Sequence, residues 1–250
     1  ILKAFIHFGS DVLKRFNGVF SFVIWDENKK ELFLARDHFG LKPLFYTIID
    51  DNLIFASEVK ALIKHPLVEL KINKQGICEL LGIGPAHTPG MSVFKNIYEI
   101  KPGHFAIYNV DVFRTEAYWK LESKPHTDNF EDTCKTIRYL LEDSINKQLV
   151  SDVPICAMLS GGLDSSILTA YISNYHKEHN LPKLNTYSVD YVDNDKNFVK
   201  SDFQPNSDNY YIGIMLNKFD TNHHKIIIDT PELAENLEDA MIARDLPGMA

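Results

Sequence analysis

The first half of the chain is rich in the β-branched and aromatic apolar runs that are typical of β-strands. The apolar run at residues 19–25 ends in a polar turn and resumes at residues 31–35, which predicts a hairpin. A second hairpin is predicted from residues 44–49 and 53–56. The other elements predicted here are strands at 94–100 and 104–110 and short helices at 57–64 and 73–81. This spacing favours antiparallel sheet with few, local helices.

The second half alternates between helical and strand patterns. Apolar residues recur at helical spacing from 130 to 149, and Asp128 with Glu131 resembles a capping box at the start of that helix. The apolar run at residues 155–159 predicts a strand buried on both faces of a parallel sheet. The other elements predicted here are helices at 165–175, at 209–218 and from Thr230, and strands at 186–189 and 225–228. Such alternation indicates a doubly wound α/β domain, and the polar segment 121–128 is the candidate linker.

The composition narrows the class of protein. Of the 250 residues, 45% are hydrophobic and 24% are charged, a balance typical of a soluble globular protein. The net charge of -8 argues against a nucleic-acid partner, because binding a phosphate backbone needs a basic surface. No apolar run approaches the roughly 20 residues that cross a bilayer, and no signal peptide is recognisable. Three separated cysteines without a CxxC pair suit a reducing compartment, so we expect a cytoplasmic protein without a membrane partner.

Both ends of the chain have the character of internal sequence. Ile1 stands where an initiator methionine would be, inside a predicted helix, and residues 247–250 fall in a predicted loop. We therefore expect the native protein to extend beyond both ends.

Residues 160–166, Ser-Gly-Gly-Leu-Asp-Ser-Ser, carry the most informative chemistry of the sequence. Gly161 and Gly162 let the backbone turn sharply and approach a ligand closely. The helix predicted after them would offer unpaired N–H groups to an anion. Three hydroxyls of this loop can donate to phosphate oxygens: Ser160, Ser165 and Ser166. The string therefore predicts a phosphate-binding turn between a strand and a helix.

Asp164 refines this prediction. Its carboxylate would repel a bare phosphate, but it suits Mg²⁺, which prefers carboxylate and phosphate oxygens together. The simpler interpretation is a Gly-Gly turn in which Ser and Asp cap a helix, a common arrangement. The complete string between strand and helix favours phosphate binding over capping alone. It is not a Walker A loop, because the GxxxxGK[ST] pattern is missing.

This loop resembles the PP-loop of ATP pyrophosphatases, and its context resembles the asparagine synthetase family. The approach through Val153, Pro154 and Ile155 is similar to the synthetase domain of that family. The first half resembles the later part of the family's class II glutamine amidotransferase domain. Three strings carry that likeness, in family order and spacing: RFNGVFSF at 15–22, ARDHFGLKPL at 35–44 and FASEVKAL at 55–62. The resemblance covers essentially the whole chain.

The resemblance implies two domains. Residues 1–122 would be the C-terminal part of the amidotransferase domain, an α+β unit with an Ntn-type antiparallel sheet. Residues 123–250 would be the N-terminal part of the synthetase domain, a doubly wound parallel α/β unit built around the PP-loop.

The resemblance also implies an activity. Members of the family hydrolyse glutamine at one site and pass ammonia to a second site. There ATP, with Mg²⁺, adenylates the side-chain carboxylate of aspartate and releases pyrophosphate, and ammonia converts the β-aspartyl-AMP to asparagine. The implied small-molecule partners are aspartate, glutamine and ATP, and a homodimer is a family-level expectation.

Carried over by position, the family's ATP contacts fall on the loop and on two strand ends. The resemblance implies that the pyrophosphate part of ATP is bound by Ser160, Gly161, Gly162, Ser165 and Ser166, with Asp164 acting through Mg²⁺. Met158 and Val189 match positions whose backbone lies against adenine. Both residues are equally explained as plain strand core.

No residue of the chain matches the family's glutaminase nucleophile, which is an N-terminal cysteine. Residue 1 is Ile, and none of the three cysteines, Cys78, Cys134 and Cys156, is a chain terminus. We therefore expect no catalytic residue for glutamine hydrolysis in these 250 residues, and we interpret Arg36 and Asp37 as scaffold.

Two other functions remain open from the sequence. One is a different adenylating amide synthetase that shares the PP-loop, similar to β-lactam synthetase. The other is a nucleotide-binding protein without catalytic activity.

Two further patterns suggest metal sites only weakly. His223 and His224 are adjacent in a predicted strand, so their side chains should point to opposite faces, which favours surface histidines. Residues 193–197 begin like an EF-hand loop, but Phe198 stands where that loop requires glycine. We interpret this segment as a solvated loop.

Overall fold

Residues 1–84, 88–202 and 204–246 are described by a computed structural model of the chain. Their contacts divide the chain into two units. The first comprises Ile1–Lys124 together with Glu238–Ala250, and the second comprises Pro125–Leu237.

The first unit is built mainly from antiparallel strands. Helix α1 (Leu2–Phe8) and a 3-10 helix (Gly9–Arg15) precede the sheets. The strands are β1 (Ser21–Asp26), β2 (Glu31–Arg36), β3 (Phe45–Ile49), β4 (Asn52–Ala56), β5 (Tyr98–Glu99), β6 (His104–Tyr108) and β7 (Phe113–Ala117). The short helices are α2 (Val59–Ile63) and α3 (Lys74–Gly82).

These strands form two antiparallel sheets. One has the order β1-β2-β6-β7 and the other β4-β3-β5. Aromatic side chains fill the core between the larger sheet and the N-terminal helices, where the Phe33 and Phe105 rings stack with centroids 5.1 Å apart. Both predicted hairpins are confirmed by the β1–β2 and β3–β4 pairings.

Arg36, at the end of β2, links the two sheets through a buried ion pair. Its Nη1 donates to Glu99 Oε2 on β5 at 2.6 Å, and both side chains are less than a tenth exposed. The same guanidinium donates to three backbone carbonyls, those of Gly40, Lys42 and Ile100. Four of its five N–H donors are therefore used in holding the chain together.

The carboxylate of Asp37 organises the turn that follows β2. It accepts hydrogen bonds from the backbone N–H groups of Phe39, Leu41 and Lys42. Burial alone would raise the pKa of Asp37, but these N–H donors outweigh it and hold the pKa below its usual value. The structure supports the interpretation of Arg36 and Asp37 as scaffold.

The second unit holds a parallel sheet. Its helices are α4 (Phe130–Gln148), α5 (Leu163–Glu178), α6 (Asn194–Asn197), α7 (Asp208–Lys218) and α8 (Thr230–Glu235). Its strands are β8 (Cys156–Met158), β9 (Leu184–Tyr191) and β10 (Thr221–Ile228), in the order β10-β9-β8. The core packs α4 and α5 on β8 and β9 through Ile145, Ala157, Ile172 and Leu184.

Helix α9 (Leu237–Arg244) belongs to the first unit apart from its first residue, and its end packs on α2. Lys60 Nζ on α2 donates to the carbonyls of Ile242 and Ala243 at 3.2 and 2.9 Å. It also lies 3.5 Å from Asp245 Oδ1. A cation at these carbonyls suits the negative end of the helix dipole.

Several predictions made from the sequence are wrong in detail. The strand predicted at 94–100 is reduced to β5, because Asn96 adopts a φ of 62° and breaks the extended run. Strand β7 was not predicted at all, since its sequence, Phe-Arg-Thr-Glu-Ala, is mostly exposed and lacks an apolar face.

The start of α4 and the burial of β8 also differ from prediction. Asn129, not Asp128, caps α4: its side chain accepts from Asp132 N at 3.0 Å and donates to the Asp132 carboxylate at 2.7 Å. Strand β8 is not buried on both faces, because Met158 is 61% exposed whereas Ala157 is buried. Among the described residues, helices α4 and α5 cover the face that carries Ala157.

We predict that Arg36→Met lowers the free energy of unfolding of the first unit by about 3–5 kcal/mol, because it leaves Glu99 buried without this cation. Urea unfolding followed by tryptophan fluorescence measures this unit selectively, since both tryptophans of the sequence, Trp25 and Trp119, lie in it.

Lys29→Met is the matched control. Lys29 lies 3.8 Å from Asp26 at the surface, so its loss should change stability by less than about 0.5 kcal/mol. Equal effects of the two substitutions would contradict a structural role for the buried pair.

Candidate functional site

The serine- and glycine-containing loop at residues 160–166 joins β8 to α5 at the carboxyl end of the parallel sheet. Its first part is the turn itself, and its last four residues form the first turn of α5, whose N-cap is Gly162. Glycine has no side chain to satisfy the first N–H groups of the helix, so these groups remain available to an anion. The predicted strand–turn–helix arrangement is confirmed.

Hydroxyl groups hold the loop in shape. Ser160 N donates to Ser165 Oγ at 3.2 Å, and the two Oγ atoms are 3.1 Å apart. Ser165 Oγ also donates to Gly162 O at 3.1 Å. Ser165 thus links the end of β8 to the first turn of α5.

Gly161 is required by both conformation and space. Its φ is +81°, in the left-handed region that residues with a Cβ avoid. A Cβ at this position would lie 2.8 Å from the backbone oxygen of Asp208, the first residue of α7. The first turn of α7 therefore packs directly against the backbone of the loop.

Met158 and Val189 lie beside the loop on one face of the sheet. Met158 pairs with Tyr187 in the parallel register, and Val189 is two residues further along the same strand, so both side chains point to the same side. They are 61% and 47% exposed. Among the described residues this face is open at both positions; Met158 ends β8, whereas β9 continues past Val189 to Tyr191.

Asp164 is the second residue of α5, and its side chain is exposed next to the loop. No group of three or more His, Cys, Asp and Glu side chains gathers in a metal-binding arrangement within 1–84, 88–202 and 204–246. An exposed carboxylate at a helix N-terminus nevertheless fits a Mg²⁺ ion that takes its other ligands from phosphate and water. The structure thus brings all eight sequence-predicted residues to one edge of the sheet.

Asp190, which the sequence analysis did not single out, lies at the same edge and is only 8% exposed. Its carboxylate accepts from Asn209 Nδ2 and Asn194 Nδ2 at 2.7 Å each and from Tyr191 N at 2.9 Å, and it lies 2.7 Å from Lys225 Nζ. Burial alone would raise the pKa of Asp190, but these donors outweigh it and hold the pKa far below the usual range. Its charge is therefore permanent at any pH near neutrality.

A sequence signal for Asp190 does exist. Strand β9 buries alternate residues, and the sequence of that face, Leu184, Thr186, Ser188 and Asp190, becomes polar towards the carboxyl end. A carboxylate at the buried position of a strand end needs partners, which a purely apolar strand would not.

The two adjacent histidines do point to opposite faces, but the surface interpretation is wrong for His223. Its ring is half-buried against β9, with Nδ1 3.0 Å from Thr186 Oγ1 and Nε2 3.1 Å from Ser188 Oγ. Burial, with smaller effects of the charges on His224 and Lys225, lowers the pKa of His223. His224 stacks on Tyr187 with ring centroids 4.8 Å apart.

Segment 193–197 is solvated as predicted, apart from the half-buried Asn194, but it is not a loop. It contains the single helical turn α6, and Asn194 reaches back to the Asp190 carboxylate. The three cysteines are free and exposed. No helix among the described residues has both the length and the apolar character needed to cross a bilayer.

Comparison with protein families assigns both halves of the chain. Residues 1–119 match the family model described as a glutamine amidotransferase domain, and residues 136–250 match the one described as asparagine synthase. The loop, Met158, Val189 and Asp190 all lie in the second match.

Two of the curated relatives that match the chain are named asparagine synthetases, and a third is named an amidase. Asparagine synthetase [glutamine-hydrolyzing] 3 of Bacillus subtilis is 44% identical over 250 residues, which is the whole of this chain and 41% of the relative. A putative asparagine synthetase of Methanocaldococcus jannaschii is 32% identical over 90% of this chain and 41% of its own length. Amidase chyE of Penicillium rubens is 26% identical over 99% of this chain and 37% of its own length. The chain thus spans about two fifths of the length of these relatives.

A solved structure described as the allosteric regulatory enzyme of purine biosynthesis aligns with a TM-score of 0.29 and 16% identity, over 86% of this chain and 48% of its own. A likeness of that degree supports no statement about the fold.

We predict that Gly161→Ala destabilises the loop by about 1–3 kcal/mol, because alanine is strained at positive φ and its Cβ would meet the Asp208 carbonyl. Gly162→Ala is the matched control, since φ is -72° there and a Cβ would be 3.5 Å from Ser160 Oγ, an ordinary contact. Hydrogen exchange of the amides of β8 and α5 should be faster in Gly161→Ala than in the control. Identical exchange in the two variants would refute the packing role of Gly161.

We predict that His223 makes the second unit less stable in mild acid. Its folded pKa lies below the reference value of 6.5, so the unfolded chain binds a proton more readily. The stability contribution is full above the unfolded pKa and is lost as the pH falls through the folded pKa.

The free energy of unfolding of the second unit, measured by hydrogen exchange at about pH 7.5 and about pH 5.5, tests this sign. The exchange rates are corrected for the intrinsic rate at each pH, and the interval spans the usual histidine titration. His223→Gln should lose less stability on acidification than the wild type does. His224→Gln, on the exposed face of the same strand, should keep most of the wild-type pH dependence, because burial is the main cause of the lowered pKa of His223. An unchanged pH slope in His223→Gln would show that another group causes the effect.

Proposed function

Because the chain belongs to the asparagine synthetase family, with an amidotransferase domain followed by a synthetase domain, we propose that the protein makes asparagine from aspartate with ATP and with ammonia released from glutamine. The observation that carries this proposal is the placement of the loop. The loop lies inside the asparagine synthase match, at the carboxyl edge of a parallel sheet, which is where open α/β sheets bind ligands.

The proposed reaction has two steps at this site. A side-chain oxygen of aspartate attacks the α-phosphorus of ATP, and pyrophosphate leaves. Ammonia then attacks the carbonyl carbon of the β-aspartyl-AMP, the C–O bond to AMP breaks, and ammonia loses a proton as asparagine forms. Adenylation is needed because a free carboxylate lacks a good leaving group.

In this proposal the loop binds the pyrophosphate part of ATP. The N–H groups at Gly161, Gly162 and the start of α5 face the anion, and the hydroxyls of Ser160, Ser165 and Ser166 complete the donor set. Donors that are already held in place before the ligand arrives stabilise negative charge without the cost of reorganisation. The backbone N–H groups at the start of α5 are such donors, and the bonds of Ser165 to Ser160 and Gly162 fix the turn that presents them.

Asp164 would hold Mg²⁺ against the phosphates. The ion would supply positive charge where the leaving pyrophosphate gains negative charge. Asp164 is suited to this role because its carboxylate is exposed beside the loop, so it can meet an ion without a cost of burial.

Met158 and Val189 would place adenine. Met158 ends β8, Val189 lies near the end of the adjacent parallel strand β9, and both are on the open face of the sheet. A flat heterocycle at this position could take hydrogen bonds from strand-end backbone groups, while its phosphates reach the helix N-terminus.

The same family membership supports the finer fold and domain assignments. We propose that residues 1–122 belong to an Ntn-type amidotransferase domain and that residues 123–250 belong to a doubly wound PP-loop domain. The antiparallel sheets of the first half and the parallel sheet of the second support this division. We further propose a cytoplasmic location and a homodimer as family properties.

We predict that Asp164→Ala abolishes aspartate-dependent release of pyrophosphate in the full-length protein while sparing glutamine hydrolysis, because the carboxylate serves the ATP site alone. Pyrophosphate release and glutamate formation are measured in parallel assays. Asp152→Ala is the matched control, since Asp152 is also exposed but precedes the sheet, at the amino end of β8.

Release of pyrophosphate at the wild-type rate by Asp164→Ala would refute the role of Asp164. A wild-type protein that binds ATP but releases no pyrophosphate with aspartate would refute asparagine synthesis. Two functions would then remain: adenylation of a different acceptor, as in a β-lactam synthetase-like enzyme, or nucleotide binding without catalysis.

A further inference from the structure

We propose that Asp190 is a positioning residue for the nucleotide-binding loop, which it serves by holding the first turn of α7 against Gly161. The inference rests on the proposed function, because the proposed function identifies ATP as the ligand of the loop. It adds a residue that touches neither ATP nor aspartate but on which the shape of the phosphate site depends.

The first observation is the set of elements that meet at this carboxylate. Oδ2 accepts from Asn209 Nδ2, in the first turn of α7, and lies equally close to Lys225 Nζ on β10, at 2.7 Å in each case. Oδ1 accepts from Asn194 Nδ2 on α6 and from Tyr191 N. One buried side chain of β9 therefore ties together both helices that follow it and the neighbouring strand.

The second observation is the contact between α7 and the loop. The carbonyl oxygen and the Cα of Asp208 lie 2.8 and 3.2 Å from the point where a Cβ of Gly161 would be. Asp208 is the residue immediately before Asn209, so the bond from Asn209 to Asp190 fixes the very turn that touches Gly161. A shift of that turn would move the backbone of the loop or leave a gap behind it.

The environment of Asp190 argues against direct binding of a ligand. Both carboxylate oxygens already accept hydrogen bonds, and the charge is paired with Lys225. A metal ion or a ribose hydroxyl would have to displace these donors from a side chain that is only 8% exposed. Asp164, by contrast, is exposed beside the loop, so a ligand can reach its carboxylate.

The partners of Asp190 lie on different elements and therefore have different roles. Asn209 connects the carboxylate to the loop through α7, whereas Lys225 lies on β10 and neutralises the charge from the other side. Loss of Asn209 should therefore affect the nucleotide site, and loss of Lys225 should affect mainly the stability of the sheet.

The experiment measures equilibrium binding of Mg-ATP, together with the KM for ATP in pyrophosphate release, on the full-length protein. We expect Asp190→Asn and Asn209→Ala each to raise the Kd for Mg-ATP and the KM for ATP by about 10- to 100-fold. A small misplacement of a binding group produces an effect of this size. The double variant should have a KM for ATP no higher than that of the more affected single variant, because both substitutions break the same bond between Asp190 and Asn209. Glutamine hydrolysis and the Mg²⁺ concentration for half-maximal activity should stay as in the wild type.

Two controls separate positioning from stability. Lys225→Met should lower the melting temperature but keep the KM for ATP within about threefold of wild type, because the link from Asp190 to α7 remains. Asp220→Asn, which removes an exposed carboxylate paired with Lys183, should change neither quantity. Asn209→Ala keeps the test valid even if Asp190→Asn does not fold.

The outcomes are distinct. Wild-type affinity for ATP in Asn209→Ala, or a shifted Mg²⁺ requirement in Asp190→Asn, would overturn the inference, the second by showing that Asp190 binds the metal. An equal rise of KM in Lys225→Met would also overturn it, since general loosening of the sheet would then explain the effect. A wild-type protein that does not bind Mg-ATP would refute the proposed function and the inference together.

Discussion

The cost of placing a charge away from water decides how both units of this chain are held together. An ion transferred from water to a protein interior loses several kcal/mol of solvation unless partners replace the water. Arg36 meets this requirement in the first unit with Glu99 and three backbone carbonyls. Asp190 meets it in the second with donors from α6, α7 and β10. Each charge lies at the end of a strand, so satisfying it links elements that strand pairing alone would leave separate.

Asp164 and Asp190, the two acidic residues near the loop, differ in exposure and therefore in role. Asp164 is exposed at the start of α5, where its charge costs little and can meet a cation. Asp190 is buried, and its charge is already taken up by Asn209, Asn194 and Lys225. The first is suited to ligand chemistry and the second to architecture, although the residue type is the same. The alternating pattern of β9 is a sequence signal that separates them, but the partners of Asp190 are set only by the packed chain.

The parallel sheet is asymmetric, and this asymmetry defines the candidate site. One face carries Ala157 and Leu184 and packs on α4 and α5. The other carries Met158 and Val189 and is open among the described residues. The loop stands at the edge where the two faces meet, with α7 behind it. A nucleotide that extends along this edge could therefore contact the open face with its base and the helix N-terminus with its phosphates.

The sequence by itself determined those features that depend on neighbours along the chain. The hairpins, α4, α5 and the turn at residues 160–166 follow from periodicity, glycine and hydroxyl positions, all within about one element's length. Met158 was placed correctly at a strand end, whereas β9 runs to Tyr191, two residues past the end predicted at Val189. Only the tertiary structure decided the partners of the buried polar groups. Arg36 and Glu99 are 63 residues apart, Thr186 and His223 are 37 apart, and Asp190 and Asn209 are 19 apart. Such pairs form because burial leaves a polar group with no alternative partner, and burial is known only once the strands and helices have packed.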